Sequence, residues 1–488
     1  MLRSGLIWVL AYVVLLWPLL MFQGPIVFPD TTPYLKGAAT GLQLALGVET
    51  TLVEAKMLPV AANPAATVVE IPDGPMGDGS VSSARSPWFG GFLLIGVLLA
   101  DGAGPVLIQA ALVLGVIGLT TRNVLGRSDF GPVIAVVLAL LTPLAVYSNY
   151  LMPDLAAGVA ILALANLMMF DGRMGRGQRA FWAVMLTGTL LFHVSHVLVA
   201  TVLVLLAVPV AQRCSGRVPR RGILTVLAAI AVFVAGQTGF NGMVKSHYGA
   251  APIRPPFLTA RLVADGPGFD YLTENCATVE FAICAYLDRM PGAELRAGTG
   301  EWYSNVLLWS DDPQQGVYET ASPEMRARLS GEQMRFTFAV LRADPVAVIG
   351  DGLWNAWRQF FRWRIDHIGD LHSVGFIETP LIDPAPLLSV GPAVPFEPAR
   401  LSPVYQVTTG FAFLACAVLL VLIARNPRDA QGVLGLMIVI LLGLVLNAGV
   451  TGALSGVDDR YQTRVIWLLG LVVLLAVAQL IRRARRGG

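Results

Sequence analysis

The sequence predicts a mainly α-helical, polytopic membrane protein of about ten spans. Both termini are expected on the cytoplasmic side, with an outer-face soluble domain inserted before the last three spans. Three observations lead there. The 488 residues are 55% apolar and only 14% charged, with a mean hydropathy of +0.66, beyond the range of soluble domains. Several apolar runs approach the roughly 20 residues a bilayer-crossing helix needs. Arginine is also distributed to one side of those runs, as cytoplasmic loops require.

The runs lie at 5–22, 104–121, 131–147, 153–170, 180–193, 195–211, 222–240, 405–424, 431–450 and 464–481, with 180–211 also readable as one bent segment. With the N-terminus inside, Arg3, loops 122–130, 171–179, 212–221 and 425–430, and tail 482–488 hold 16 Arg, no Lys and three acids. The outer segments 24–87 and 241–404 hold 16 Lys/Arg against 25 Asp/Glu. This asymmetry orients the chain. The first run reads as a retained anchor, because a single arginine precedes it and Gly-Pro follows where a cleavage site would need small residues. No segment suggests nucleic-acid binding.

Three regions follow: a membrane domain, 1–240, with a first outer loop at 24–87; an outer-face (periplasmic) soluble domain, 241–404; and a three-span segment, 405–488. Within the first loop, 48–87 is Pro/Gly/Ser-rich and reads as an irregular excursion. Trp88–Ala100 is apolar but too short to span, and reads as an interfacial helix starting at Ser86-Pro87. In the soluble domain, Cys276 and Cys284 can form a short-loop disulfide on an oxidising face, the alternative being two buried thiols. Asp351–Ile365 puts Trp354, Trp357 and Phe361 on one helical face among Arg358, Arg362 and Arg364. That suits either a headgroup-layer helix or an amphipathic core helix.

The stretch 24–41 is the chemical focus. It begins at Gly-Pro and places Asp30, two threonines, Tyr34 and Lys36 within seven residues at a membrane boundary. Charged groups there stay in water or face a wet cavity. The topology delivers further polar groups to the same face: Asp154 after Pro153, His193 and His196 in a turn between spans, and Arg460, Tyr461 and Arg464 before the last span. Asp30 suits a general base or a divalent-cation ligand, against a helix cap or turn residue. Asp154 has the same helix-cap alternative. Lys36 suits a phosphate, against a snorkelling lysine. The two histidines suit metal or substrate contact, against a hydrogen-bonded turn. Arg460 and Arg464, four apart, suit phosphate recognition, against salt bridges to Asp458 or Asp459.

Pro-Asp-Thr-Thr-Pro-Tyr-Leu-Lys-Gly (29–37) after an N-terminal span resembles the opening of GT-C superfamily membrane glycosyltransferases, which include protein mannosyltransferases and bacterial aminoarabinose transferases. Arg-Ser-Pro-Trp-Phe-Gly-Gly-Phe (85–92), continuing to Gln109, resembles that family's interfacial helix, and Leu-Met-Pro-Asp-Leu (151–155) its second outer turn. Asp-Asp-Arg-Tyr-Gln-Thr-Arg (458–464) is similar to an arginine/tyrosine motif before a late span. The resemblance covers 1–240 and 400–488. It departs in two ways: Asp30 is followed by Thr31 and Thr32 rather than an acidic partner, and the soluble domain precedes the last three spans.

The resemblance implies a membrane glycosyltransferase in the bacterial cytoplasmic membrane, moving a sugar from a polyprenyl-phosphate donor to a lipid- or envelope-linked acceptor. It maps Asp30 and Asp154 onto catalytic acids, with a divalent cation on these acids as the one cofactor it admits. Tyr34, Lys36, His193, His196, Arg460, Tyr461 and Arg464 are the expected substrate contacts. The alternative is a non-catalytic lipid-glycan translocase or envelope assembly factor, which a polar path through the spans would favour.

Overall fold

The computed structural model describes residues 2–21, 24–28, 30–47, 56–58, 85–100, 102–290, 292, 300–366, 368, 376–378, 398–425 and 430–487. The excursion at 48–87 therefore falls outside the described residues, apart from 56–58 and 85–87.

The protein is mainly helical. Among the described residues, six helices are long and apolar enough to cross a membrane: α5 (Ala103–Leu125), α10 (Val194–Ser215), α11 (Arg220–Tyr248), α17 (Ser402–Arg425), α18 (Gln431–Leu454) and α19 (Asp459–Gly487). The other expected spans are shorter or broken, three of them for a local reason. The first is split into α1 (Leu2–Leu15) and α2 (Trp17–Met21), because Pro18 has no N–H and its ring collides with the carbonyl one turn back. The third is split into α6 (Gly131–Leu141) and α7 (Leu144–Ser148), where Thr142 is extended ahead of Pro143. In the 180–211 region a single extended residue, His193, separates α9 (Arg176–Phe192) from α10.

α8 (Asp154–Met169) is the centre of the bundle, and all its residues are buried. A helix apolar all round has no face for solvent or lipid and must be enclosed by other helices. Here α5, α9, α10, α11, α18 and α19 pack around it. α3 (Thr31–Leu46) and α4 (Pro87–Ala100) pair beside this core, and α4 starts at the proline expected to open it.

Glycines set the closest approaches. A Cβ on Gly90 would lie 1.9 Å from the Tyr34 carbonyl oxygen, and one on Gly104 would lie 1.8 Å from that of Gly96. α3, α4 and α5 therefore touch backbone to backbone. Gly104→Val is expected to destabilise the protein by about 1–3 kcal/mol, because backbone cannot yield as a side chain can. Thermal unfolding in detergent checks this, and an unchanged melting point would refute the contact.

A second, separate core lies in the inserted region. It is built from α12 (Phe257–Asp265), α13 (Pro267–Asn275), a 3-10 helix at Ala282–Arg289, α14 (Gly300–Trp309) and α15 (Pro323–Ala343), around Val263, Leu272, Tyr318 and Phe336. A disulfide joins Cys276 to Cys284. Closing so short a loop constrains the unfolded chain by about 2–3 kcal/mol. Reduction is therefore expected to lower the unfolding temperature of this region, followed by near-ultraviolet circular dichroism with and without reductant. No change would mean that helix packing alone holds the two segments.

α16 (Pro345–Phe360) leaves this core and packs on α18. A Cβ on Gly452 of α18 would sit 2.6 Å from the Asn355 carbonyl oxygen. The face turned inward carries the buried amides Asn355 and Gln359, while Trp354, Trp357 and Phe361 are about half exposed. The reading of these aromatics as domain core is thereby overturned. A short antiparallel ladder pairs β1 (Lys56–Leu58) with β2 (Phe376–Glu378).

Candidate functional site

The first loop is sewn to the turn ahead of α8 by backbone bonds. Ile26 N–H donates to the Asn149 carbonyl at 2.9 Å, and Leu151 N–H donates to Ile26 at 2.8 Å. Thr31 reinforces this, accepting from Phe28 N–H and donating to the Leu151 carbonyl. These bonds fix the positions of Asp30, which precedes α3, and Asp154, the first residue of α8, relative to one another.

Asp30 occupies the N-cap position of α3, yet its side chain makes no capping bond. It accepts instead from Arg85 Nη2 at 2.5 Å, and both side chains remain about one-fifth exposed. Arg85 is held by its neighbour, since Ser86 Oγ donates to the Leu191 carbonyl at 2.7 Å and so ties the start of α4 to the end of α9.

Asp154 is completely buried and is gripped by two arginines. Arg460 donates from Nε and Nη2 to its two oxygens at 2.9 and 2.8 Å, a bidentate pair, and Arg464 Nη1 approaches at 3.4 Å. The expected alternative of salt bridges to Asp458 or Asp459 is replaced by this pairing. Asp458 accepts from the Arg460 backbone N–H, and Asp459 lies 3.7 Å from Arg362. At the N-terminus of α8 the Asp154 carboxylate also meets the positive end of the helix dipole.

Aromatic rings complete the shell. The Arg460 guanidinium lies 4.7 Å from the Phe28 ring centre and 5.7 Å from that of Tyr150, while Arg464 lies 5.1 Å from that of Tyr461. Such contacts hold a cation where water is excluded. Tyr34 is buried edge-on against Phe89 and lies within electrostatic reach of both ion pairs. Lys36, two positions on, projects from another face of α3 and is half-buried.

The histidines meet at the break between α9 and α10, with ring centres 5.5 Å apart. His193 caps α10, its Nδ1 accepting from Ser195 N–H, and His196 Nδ1 donates to the Thr189 carbonyl at 2.7 Å. That is the hydrogen-bonded turn. The His196 ring nitrogen Nε2 is buried without a partner.

A divalent cation does not fit the acids as arranged. Both oxygens of Asp154 accept from guanidinium groups, Asp30 is held by Arg85, and no cluster of three His, Cys, Asp or Glu suited to a metal occurs among the described residues. The donors point elsewhere. Three arginines meet Asp30 and Asp154 here, with Asp458 beside Arg460, and it is their guanidinium N–H donors that suit an anionic ligand.

Arg85, Phe28, Tyr150 and Gln359 were not singled out as site residues from the sequence. Gln359 clamps the segment ahead of α19 from α16, donating to the Asp458 carbonyl and accepting from its N–H, each at 2.8 Å. A signal existed only for Arg85, the one arginine in the first outer loop and part of the motif at 85–92.

No family model matches the chain, and no curated protein matches it. Among solved structures it is similar to ArnT from Cupriavidus metallidurans. Against the crystal structure bound to undecaprenyl phosphate, identity is 14% and the TM-score 0.31, covering 96% of this chain and 77% of that one. Against the apo state the values are 13% and 0.31, covering 97% and 78%. A likeness this distant leaves the activity of the chain to its own residues.

Proposed function

We propose that the protein is a membrane glycosyltransferase that moves a sugar from a polyprenyl-phosphate donor to a hydroxyl of a lipid- or envelope-linked acceptor. The observation that carries this reading is the meeting of two acid–arginine pairs of unequal exposure at one end of the bundle. One pair, Asp30–Arg85, is reachable; in the other, Asp154 and Arg464 are buried and only Arg460 reaches the surface. We place that end on the outer side of the bacterial cytoplasmic membrane, following the arginine distribution.

The exposure difference divides the roles. Asp30 takes the proton of the acceptor hydroxyl as its oxygen attacks the anomeric carbon. The bond from that carbon to the phosphate oxygen breaks, and the polyprenyl phosphate departs as an anion. Arg85 and Arg460, with side chains 23% and 14% exposed, are the guanidinium groups that can meet the phosphate and stabilise its growing charge. Asp154 lies behind and holds Arg460 in place, with Arg464 on the same carboxylate. An Arg85 that turns to the phosphate would also release Asp30 for the acceptor.

The translocase reading asks for a polar path across the spans. Between Asp154 and Asn166, α8 presents only buried apolar residues, Leu155–Ala165. The polar group around Asn166, which bonds Thr120 and Asn123, is thus cut off from the Asp154 cluster along α8. This favours transfer over transport.

The test is the purified protein in proteoliposomes with polyprenyl-phosphate sugars and a membrane-lipid acceptor extract. Appearance of glycosylated acceptor with stoichiometric polyprenyl phosphate supports the proposal. Movement of intact donor across the bilayer without bond cleavage would overturn it.

A further inference from the structure

A large cavity lies at the opposite end of the bundle, beyond the C-terminus of α8. It measures about 1120 Å³ and opens between α5, α9, α18 and α19. A helix of 16 residues separates it from Asp154, about 24 Å along the axis, so the two places cannot share one small ligand. Its walls carry Arg122 at the end of α5, Arg173 ahead of α9, and Arg482 and Arg483 near the end of α19. No acidic residue is among its described lining residues. Two of the described acids at this end are engaged elsewhere: Asp171 pairs with Arg179 at 3.1 Å, and Asp129 pairs with Arg127.

Backbone adds to the arginines. Gly175 and Ala430, which line the cavity, are the N-caps of α9 and α18, helices of 17 and 24 residues, and neither makes a side-chain capping bond. The first N–H groups of both helices therefore present donors and the positive dipole end at the cavity wall. The opposing carbonyl end of α5 is partly closed, since Gly126 N–H donates to the Arg122 carbonyl at 2.8 Å. On α19 the arginines directly follow the apolar run, and Val477 and Ile481 are 40% and 51% exposed beside them. Exposed apolar side chains on a helix apolar enough to span suit a lipid-facing surface, on which the arginines that follow would stand at headgroup level.

We infer that this cavity binds a phosphate-bearing anion, the headgroup of an acidic phospholipid or a soluble phosphate compound, through Arg122, Arg173, Arg482 and the N-termini of α9 and α18. Basic pockets between membrane helices take such headgroups by charge and by paired N–H donors. This site is separate from the proposed transfer site, and its test needs no transferase activity.

The experiment uses the full chain, stripped of lipid in a neutral detergent. Phosphatidylglycerol, phosphatidylcholine and inorganic phosphate are each titrated while native mass spectrometry and melting temperature are read. Wild-type protein is expected to retain phosphatidylglycerol over phosphatidylcholine, and the double variant Arg122→Gln/Arg482→Gln to bind it at least about tenfold more weakly. Resistance of that binding to inorganic phosphate identifies a lipid headgroup. Displacement by inorganic phosphate, with the same loss in the variant, identifies a soluble phosphate ligand. If neither probe binds, or if the variant binds as wild type, the inference is overturned. Should the double variant fail to fold, Arg173→Gln, at an exposed position, takes its place: weakened binding supports the site, and wild-type binding overturns it.

Discussion

Asp30→Asn is expected to abolish turnover while leaving the fold intact. Asparagine keeps the shape and a hydrogen-bond acceptor for Arg85, but it cannot take a proton from the acceptor. A positioned general base contributes about 10²–10⁴-fold to rate, so kcat should fall by that factor with little change in the KM for donor. The stability cost should be below about 1 kcal/mol, because the Asp30–Arg85 pair is partly solvated and such pairs are worth little. The check is a set of initial rates in proteoliposomes beside a melting curve of the same preparation. A variant that melts like wild type and turns over like wild type removes Asp30 from the chemistry. Arg85→Gln offers a contrast. It should leave the base in place and weaken donor binding, since a guanidinium that meets the phosphate would be gone.

The end of the bundle on which these groups meet was legible because it follows from counting. Asp30, Asp154, the His193/His196 turn and Arg460/Arg464 each stand at the same end of an apolar run, and runs joined by short turns alternate in direction. The partners were not legible. Asp154 and Arg460 are 306 positions apart and Asp30 and Arg85 are 55 apart, and nothing local relates them. Their pairing depends on helix rotation and on the short bridge between Ile26 and Tyr150, a single residue pair too brief for any strand pattern. Arg460 was accordingly set against its neighbours Asp458 and Asp459, whereas the carboxylate it meets is the one already sealed in the bundle. The breaks at Pro18 and Pro143 were written in the chain but lay inside continuous apolar runs, where hydropathy outweighs a single proline. α16 misleads for a related reason. Its aromatic face suited a headgroup-layer helix or a core helix equally, and the groups that fix it are Asn355 and Gln359, which bond to Asp265 and to the Asp458 backbone. Buried amides that find such partners look, in sequence, like ordinary solvent-facing residues.

Asp154→Asn should act on stability, with activity following. The carboxylate is fully buried, Arg464 is only 3% exposed, and Arg460 reaches water over 14% of its side chain. Neutralising the shared partner leaves two guanidinium groups facing each other in a dry site. Breaking a buried ion pair from one side costs about 3–5 kcal/mol, because the remaining charge has lost its compensation. Arg460 can relieve part of this by swinging outward, away from Phe28 and Tyr150. Arg464 cannot, since it is enclosed with Asn447, which itself donates to the Tyr461 carbonyl at 2.6 Å. Arg464→Met should therefore be mild alone, because Asp154 keeps its bidentate partner. It should also rescue part of the loss in the double variant Asp154→Asn/Arg464→Met, giving a coupling of about 1–3 kcal/mol between contacting residues. Unfolding midpoints of the four proteins in one detergent decide this, and additive effects would show that Asp154 does not hold the two arginines together. Asp154→Glu separates holding from aiming. It retains the charge, so much of the stability should survive, but the longer side chain moves the Arg460 fork. A displacement of about 1 Å in a group that must meet the leaving phosphate costs on the order of 10²-fold in rate. A stable but slow Asp154→Glu protein would mark Asp154 as the residue that aims Arg460, whereas a stable and fast one would confine it to the fold.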